Sequence, residues 1–248
     1  RSERGKKIRA MFVPSDSDHV LLAADYSQIE LRIIASISQD KAMIEAFKAG
    51  EDIHTATAAR VFGIESKDVT REQRSHAKTV NFGIIYGVSA FGLSNQTNLS
   101  RKEAKALIES YFESYPGIKS YIDSQVIFAR ENGFVETLMG RKRYLKDINS
   151  ANAVVRGHAE RNAMNAPIQG SAADIIKLAM INVHNAMTEK GLKSKMILQV
   201  HDELVFDARL DELEALKDLI KDKMESAVKL DVPLIADLGT GNNWLEAH

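Results

Sequence analysis

Three consecutive polar residues, His201, Asp202 and Glu203, separate two apolar runs near the end of the sequence. This pattern is typical of a β-hairpin whose turn carries the polar side chains. Asp25 is presented in a similar way, directly after the apolar run at residues 20–24. If the two strands are neighbours, Asp25 and Asp202 converge, and such hard oxygen ligands suit Mg²⁺ held partly by substrate phosphates. The alternative is a solvated turn, the usual fate of adjacent charged residues.

A second group of candidates recurs every four residues along one predicted helix: Arg74, Lys78, Phe82 and Tyr86. Residues four apart lie on the same side of a helix. Two cations followed by two aromatic rings would hold a molecule with phosphates at one end and a flat base at the other. The alternative is an amphipathic helix that simply exposes its basic residues.

Glu30 and His54 are weaker candidates, because each has an ordinary structural explanation. Ser27 and Glu30 have the spacing of a capping box at the start of a helix. His54 falls in the first turn of another helix, where a surface histidine is common. A helix N-terminus also favours phosphate oxygens, so His54 could join a phosphate site.

Arg161, Asn165 and Gln169 form another row spaced four residues apart. The row could be a plain polar helix face. Long polar donors are also what a protein needs to contact the minor groove of DNA without sequence preference, because the acceptors there are nearly the same for every base pair.

The composition excludes several classes of protein. The chain has 248 residues, 44% hydrophobic content, a formal net charge of -1 and no cysteine. No apolar run is long enough for a membrane span, and no disulfide framework is possible, so we expect a reducing cytoplasmic setting. The net charge does not indicate a nucleic-acid partner, but basic residues are concentrated locally, as at residues 141–143.

The hydrophobic patterns predict an α+β fold in which a largely helical insertion separates the two strands that carry the carboxylates. Residues 1–14 are interpreted as a strand entering from a preceding portion. Strands are also predicted at residues 20–25, 134–138, 143–145, 196–198, 204–206 and 232–238. Helices are predicted within residues 26–35 after a possible cap at Ser27, and at residues 41–49, 52–62, 71–86, 100–115, 116–132, 152–190 with a break at Pro167, and 211–228.

Three segments resemble the conserved motifs of the family A, polymerase I type, DNA polymerases. They are DYSQIELR at residues 25–32, R-x-x-x-K-T-x-N-F-G-x-x-Y-G at residues 74–87, and QVHDELVF at residues 199–206. They occur in the family's order, and the similarity continues through residues 140–145 and 161–177 to the end of the chain. The resemblance is therefore to the C-terminal palm and fingers region of such an enzyme.

The resemblance implies a right-hand polymerase architecture, with an antiparallel palm sheet carrying helical fingers. Residues 1–40 and 152–248 would form the palm, and residues 41–151 the fingers. The family's thumb and exonuclease-type domains are absent from this chain. Because non-specific affinity depends on the sum of phosphate contacts, we expect weak DNA binding and little processive synthesis from this region alone.

The resemblance also implies roles for single residues. Asp25 and Asp202, with the backbone carbonyl of Tyr26, would hold two Mg²⁺ ions, for which Mn²⁺ could substitute. The primer 3′-hydroxyl would attack the α-phosphorus of a deoxynucleoside triphosphate in line. Lys78 would also protonate the leaving group.

Two further sets of residues follow from the same resemblance. The nucleotide-binding residues would be Gln28, Glu30, His54, Arg74, Lys78, Phe82 and Tyr86. Among these, Glu30 would exclude a 2′-hydroxyl. The residues contacting primer-template DNA would be Arg161, Asn165, Gln169, His201 and Glu203. The expected setting is the bacterial cytoplasm near the nucleoid, with the protein a monomer that does not bind membranes.

Two other functions stay open at this point. A single-subunit RNA polymerase would share both aspartates and the basic helix, although Glu30 and Phe82 argue against it. A catalytically silent DNA-binding fragment is the other possibility. Nucleotide binding that depends on Mg²⁺ would separate an enzyme from a silent fragment.

Overall fold

The computed structural model describes residues 3–248, which contain eleven α-helices and six β-strands. The helices are α1 Glu3–Arg9, α2 Ile29–Ser38, α3 Lys41–Lys48, α4 Ile53–Phe62, α5 Arg71–Ile85, α6 Ala90–Ser94, α7 Arg101–Ser114, α8 Pro116–Asn132, α9 Ala153–Glu189, α10 Leu213–Glu225 and α11 Trp244–Ala247. The strands are β1 His19–Tyr26, β2 Phe134–Glu136, β3 Lys142–Tyr144, β4 Lys195–Val200, β5 Glu203–Arg209 and β6 Ala236–Gly241. No helix among these is both long and apolar enough to cross a bilayer.

The chain forms two compact units. The first comprises Arg1–Ile29, Ala172–Lys229 and Leu234–His248, and the second comprises Glu30–Ser171 and Leu230–Pro233. These limits differ from the division at residues 40 and 151 that the sequence suggested. Which residues act as palm and which as fingers therefore stays a prediction.

A four-stranded antiparallel sheet forms the centre of the first unit, in the order β4-β5-β1-β6. Strand β1 lies inside the sheet, and residues 21–24 are buried on both of its faces. Both faces must be covered for such a continuous apolar run to be stable. The predicted hairpin is confirmed, because β4 and β5 are joined by the two residues His201 and Asp202.

Helix α11 covers one part of this sheet. Trp244 and Ala247 pack in a core cluster with Leu21, Ala23 and Val205. The helix lies directly on the backbone of β6, since a Cβ atom at Gly239 would be only 2.2 Å from the carbonyl oxygen of Ala247. A side chain at position 239 would therefore displace α11.

Helices α4, α5 and α7 pack together in the second unit. Two capping boxes that the sequence predicts are present: Thr70 with Gln73 at the start of α5, and Ser100 with Glu103 at the start of α7. Each box satisfies backbone N–H groups that a helix start leaves unpaired. The local sequence thus fixes where both helices begin.

A second core in this unit lies under the hairpin of β2 and β3. It consists of Ala129, Val135, Leu145, Ile148, Ala159 and Ala163. The hairpin is the one expected from the sequence, although its first strand ends two residues earlier than predicted and its second strand begins one residue earlier.

Three predictions about elements were wrong. Residues 3–9 form α1 rather than a strand, and a Glu3–Lys6 ion pair one helical turn apart supports it; residues 1 and 2 lie outside the described part. Helix α9 continues through Pro167 because Ala163 and Ile168, one on each side of the proline, are fully buried, and this packing outweighs the lost hydrogen bond. The last strand begins at Ala236, later than expected, where it pairs with Tyr26 of β1.

Candidate active site

The sheet of the first unit brings Asp25 and Asp202 to the same edge. Asp25 lies near the end of β1, and its partner across the ladder is Glu203, the first residue of β5. The backbone N–H of Tyr26 donates a hydrogen bond to the carbonyl of Asp202 at 3.2 Å. The two strands are neighbours, as the sequence analysis required for the two carboxylates to converge.

These carboxylates share an unfavourable environment. Burial raises the pKa of Asp25 to about 6, and the charges of Asp202 and Glu203 add to this effect. Burial also raises the pKa of Asp202, with a further contribution from Glu203. One carboxylate oxygen of Asp25, Oδ1, is buried without a hydrogen-bond partner. Desolvated like charges of this kind are stabilised by a cation.

The available donors fit a magnesium ion. Asp25, Asp202 and the Tyr26 carbonyl offer hard oxygen atoms, which Mg²⁺ prefers, and Oδ1 of Asp25 is unpaired. Within residues 3–248, no three or more His, Asp or Glu side chains are grouped so that they could hold a metal by themselves. Mg²⁺ usually binds through one or two carboxylates and keeps water or substrate phosphates as its other ligands, so these donors would supply part of its coordination shell.

The backbone around both aspartates is unusual. Gln28 and His201 both have a φ of 55°, in the left-handed region that residues other than glycine rarely adopt. His201 is exposed at the tip of the hairpin turn. Tyr26 is buried, and its hydroxyl donates to the carbonyl of Met224 at 2.7 Å. This anchor fixes the strand end from which Asp25 projects.

Glu203 is directed into the protein rather than toward solvent. Only 3% of its surface is exposed, and Oε1 accepts a hydrogen bond from Nε1 of Trp244 at 2.8 Å. Its other oxygen, Oε2, lies 3.3 Å from Nδ1 of His248. Sequence reasoning did not single out Trp244 or His248 as neighbours of this carboxylate.

In the second unit, Arg74 at the start of α5 is already paired. Its Nε and Nη2 atoms donate to the two carboxylate oxygens of Asp52 at 3.1 and 2.7 Å. Burial disfavours the Asp52 carboxylate, but the hydrogen bonds from Arg74 and Thr55 outweigh it and hold the pKa of Asp52 below its usual range. Asp52 also caps α4 by accepting from the Thr55 N–H. The guanidinium is thus held in a fixed orientation at the N-terminal end of α4.

The other three residues of the row that begins with Arg74 line a cavity of about 600 Å³. Lys78 and Phe82 of α5 line it with Tyr86, the residue directly after α5, and Arg161 of α9 also lines it, so the two predicted rows meet. A cation beside aromatic rings can hold phosphates and stack a base. The lining residues that sequence reasoning missed are Ser75, Thr79, Gly83, Gly87, Val88, Ser89, Gly92 and Gln96.

One of the missed residues had a recognisable signal. Gly87 follows the last residues of α5 with a φ of 65°, as a helix-ending glycine does. A Cβ atom there would be 2.7 Å from Met164 and 3.0 Å from Arg161. The left-handed turn therefore favours glycine, and any larger residue would also displace the side chains of Met164 and Arg161.

Tyr86, at the end of α5, is 42% exposed and its hydroxyl donates to Oε2 of Glu30 at 2.9 Å. Glu30 is not the third residue of a helix capped by Ser27, because Gln28 is left-handed and α2 begins at Ile29. The expected capping box is therefore wrong. Glu30 is instead held next to the aromatic end of the cavity.

His54 is buried, with 3% of its surface exposed, although a surface position was expected for a lone histidine there. The side-chain amide of Asn81 donates to its Nδ1 at 3.1 Å, and Asn81 also bonds Thr57. The ring of His54 lies 5.8 Å from that of Phe82. The imidazole thus contacts Asn81 and Phe82 of α5 and is not among the residues that line the cavity.

We expect His54 to make folding stability depend on pH. Burial lowers its pKa to about 4, with the charges of Arg74 and Lys78 acting in the same direction. The unfolded chain takes up a proton near pH 6.5 and the folded chain only near pH 4, so stability is full above pH 6.5 and decreases as the pH falls toward 4. The expected loss is about 2 kcal/mol.

Urea unfolding between pH 7.5 and 4.5 measures this loss. In a His54→Gln variant the dependence on pH should be weaker by that amount, because glutamine can still accept from Asn81 without gaining a charge. A His184→Gln variant, which alters an exposed histidine, serves as the control. Parallel curves for the native and His54→Gln chains would contradict the prediction.

The third predicted row lies on α9. Arg161 and Gln169 are exposed, and Asn165 is partly buried with an amide oxygen that has no hydrogen-bond partner. Arg161 lines the cavity, whereas Asn165 and Gln169 do not. The row thus continues from the cavity along the helix.

Comparison with known proteins assigns this fold. The structure superposes on a solved structure described as the POL domain of Pol1 from M. smegmatis in complex with DNA primer-template and dNTP. The TM-score is 0.94 at 46% sequence identity, over all of this chain and 44% of that one. The fold is therefore α+β and of the right-hand polymerase class, as predicted.

The sequence comparisons agree with the structural one. The family model described as DNA polymerase family A matches residues 1–246. DNA polymerase I of Caldicellulosiruptor bescii is 57% identical over 98% of this chain. DNA polymerase I of Lactococcus lactis subsp. cremoris is 57% identical over 100% of this chain. The chain belongs to DNA polymerase family A. It spans 29% and 28% of these two relatives.

Proposed function

We propose that this chain carries the synthetic site of a DNA-directed DNA polymerase. The site would add deoxynucleoside monophosphates from dNTPs to a primer 3′-hydroxyl and release pyrophosphate. The observation that carries the proposal is the pair Asp25 and Asp202 on one sheet edge, with raised pKa values and an unpaired buried oxygen. The relatives are DNA polymerases I, and the similar solved structure contains primer-template DNA and dNTP.

Asp25, Asp202 and the carbonyl of Tyr26 would hold two Mg²⁺ ions, or Mn²⁺ in their place. Polymerases are among the enzymes that use two metal ions, and the bound metals supply an activated hydroxyl and stabilise the charge of the phosphates. The protein's part is to direct both carboxylates, and the bound metal ions would favour their ionised form. The nearby cations would lower the raised pKa of Asp25 to allow this.

The cavity and its surroundings would bind the nucleotide. Lys78, exposed at the cavity wall, would contact the triphosphate and donate a proton to the leaving pyrophosphate. Arg74, oriented by Asp52, would provide a second positive charge. His54 would help to hold α5, which carries both Lys78 and Arg74, in place. Phe82 and Tyr86 would stack on bases.

The sugar and the duplex would be contacted by other residues. Gln28 and Glu30 lie near the start of α2, where Glu30 would meet the 2′ position of the sugar. Arg161, Asn165, Gln169 and His201 would contact the minor groove of the primer-template.

We place residues 1–40 and 152–248 in the palm and residues 41–151 in the fingers. We also propose that the longer bacterial protein acts as a monomer near the nucleoid.

Single-nucleotide incorporation tests this function directly. Four primer-templates that differ only in the first templating base are each offered one dNTP at a time, at low salt with Mg²⁺. The expected product is extension only by the complementary nucleotide, lost on addition of a chelator. Binding of DNA without extension, together with dNTP binding that is unaffected by Mg²⁺, would instead identify a catalytically silent DNA-binding fragment.

A further inference from the structure

Glu203 is an acidic residue in an unusual position, next to Asp202 yet almost completely buried. A buried carboxylate without partners would be costly, but both of its oxygens have one. Trp244 donates to Oε1 at 2.8 Å and His248 lies 3.3 Å from Oε2. Trp244 is the only tryptophan of the chain. The carboxylate is therefore engaged by residues far away in the sequence.

Trp244 is itself held on several sides. Its backbone N–H donates to the carbonyl of Phe12 at 3.0 Å, and the Phe12 ring meets the indole edge-on at 5.4 Å. The guanidinium carbon of Arg9 lies 4.8 Å from the centre of the indole ring. The rigid seating of α11 on β6, which Gly239 permits, completes the support. An indole restrained in this way can fix the group to which it donates.

The position of Glu203 determines what this restraint does. Glu203 opens β5 and is joined directly to Asp202 in a two-residue turn. Because the peptide unit that joins the two residues is planar, a shift of the Glu203 backbone in such a tight turn also moves the backbone of Asp202. Holding Glu203 in the interior therefore sets the direction in which Asp202 leaves the turn.

We propose that Trp244 and His248 hold Glu203 inside the protein, and that Trp244 and Glu203 are positioning residues for Asp202. In this role Glu203 neither binds metal nor contacts DNA, in contrast to the DNA contact that the family resemblance implied. The inference rests on the proposed function for what Asp202 does, but the contact itself can be tested without activity.

The indole N–H gives a direct readout of the contact. Because the chain has one tryptophan, its ¹⁵N-labelled form should show a single indole resonance, shifted and slowly exchanging because of the carboxylate. Glu203→Gln should keep a slowly exchanging indole resonance, because the hydrogen bond remains. In Glu203→Ala the resonance should differ in chemical shift from the native one and should exchange rapidly. Addition of Mg²⁺ should leave the native resonance in place. A native resonance that resembles Glu203→Ala, or that moves toward it with Mg²⁺, would overturn the proposal.

Kinetics then separate positioning from folding and from metal binding. Trp244→Phe keeps an aromatic ring but removes the donor, so kcat for incorporation should fall about tenfold while KM for dNTP is unchanged. Glu203→Gln, which still accepts from Trp244, should keep most of the native rate. Phe12→Leu is the packing control: it removes a ring contact of Trp244 but leaves the hydrogen bond to Glu203 in place, so we expect a clearly smaller loss than in Trp244→Phe.

Each pattern of outcomes has one meaning. A Trp244→Phe variant with native kcat, or a Glu203→Gln variant that needs more Mg²⁺ while Trp244→Phe does not, would overturn the positioning role. Equal losses in Trp244→Phe and Phe12→Leu would show a role in packing only and would also overturn it. Absence of incorporation by the native chain would count against the proposed function, while the indole resonance would still decide the contact.

Discussion

Replacing Asp202 or Asp25 by asparagine should reduce single-nucleotide incorporation by at least about 10³-fold, or roughly 4 kcal/mol in the barrier. Asparagine has nearly the same shape as aspartate, so the sheet edge should keep its geometry. What is lost is one of the two negative charges that would hold Mg²⁺. Rapid-quench measurement of one incorporation step at saturating dNTP gives the rate without interference from product release.

The sheet offers a matched control for this substitution. Asp237 of β6 lies opposite Asp25 in the ladder and is exposed, but it is not among the proposed metal ligands. Asp237→Asn removes the same charge from the adjacent strand and should change the rate little. An equal loss in all three variants would mean that general electrostatics, and not ligation, explains the effect.

Loss of activity in Asp25→Asn should come with a gain in stability. The folded pKa of about 6 lies above the unfolded value of about 3.9, so the ionised carboxylate destabilises the metal-free fold at neutral pH. The contribution of the Asp25 side chain to the free energy of unfolding is favourable below pH 4, where it is protonated, and is lost as the pH rises through 6. After allowance for partial exposure, Asp25→Asn should stabilise the fold by about 1–2 kcal/mol at pH 8 in chelator. If Asp25→Asn proved less stable than the native chain, the loss of activity would be explained by misfolding instead.

The second large effect is expected on the choice of sugar. Glu30→Ala should increase incorporation of ribonucleotides relative to deoxynucleotides by about 10²-fold, because a side chain that blocks the 2′-hydroxyl is removed. Single-turnover competition between a ribonucleotide and its deoxy counterpart measures the ratio. A native chain that already prefers ribonucleotides would favour the single-subunit RNA polymerase alternative.

The hydrogen bond from Tyr86 refines this experiment. Its hydroxyl lies 2.9 Å from Oε2 of Glu30, so Tyr86→Phe keeps the ring but removes this hydrogen bond to the carboxylate. We expect a smaller relaxation of sugar choice than in Glu30→Ala. Glu45→Ala, on the exposed face of α3, should leave the ratio unchanged. If Tyr86→Phe and Glu30→Ala are equally permissive, the direction of Glu30 matters as much as its presence.

The parts of the fold that could be predicted are those that depend on short stretches of sequence. The hairpin at His201 and Asp202 followed from two apolar runs around a polar turn. The starts of α5 and α7 followed from capping boxes. Asp25 and Asp202 could be paired because each follows or precedes a strand that is apolar enough to be buried.

Contacts between distant residues could not be predicted in this way. The pairing of Arg74 with Asp52 joins two helices, and Asp52 alone indicates only a helix cap. The burial of Glu203 depends on Trp244, 41 residues later, and nothing near either residue signals the contact. Pro167 misled the prediction of α9 for a related reason, since its cost is offset by packing that local sequence does not reveal.

The order of the strands has a consequence for synthesis of the chain on the ribosome. Strand β1 is complete at residue 26, but its two partners begin only at residues 203 and 236. At elongation rates of about 5–20 residues per second, this apolar strand would wait on the order of ten to forty seconds for β6, with its hydrogen-bonding edges open to other chains. Glu30–Ser171, whose contacts are more local, can fold during that interval. The main part of the helical unit should thus fold before the sheet that carries both aspartates, and a chaperone that shields β1 should raise the yield of folded protein.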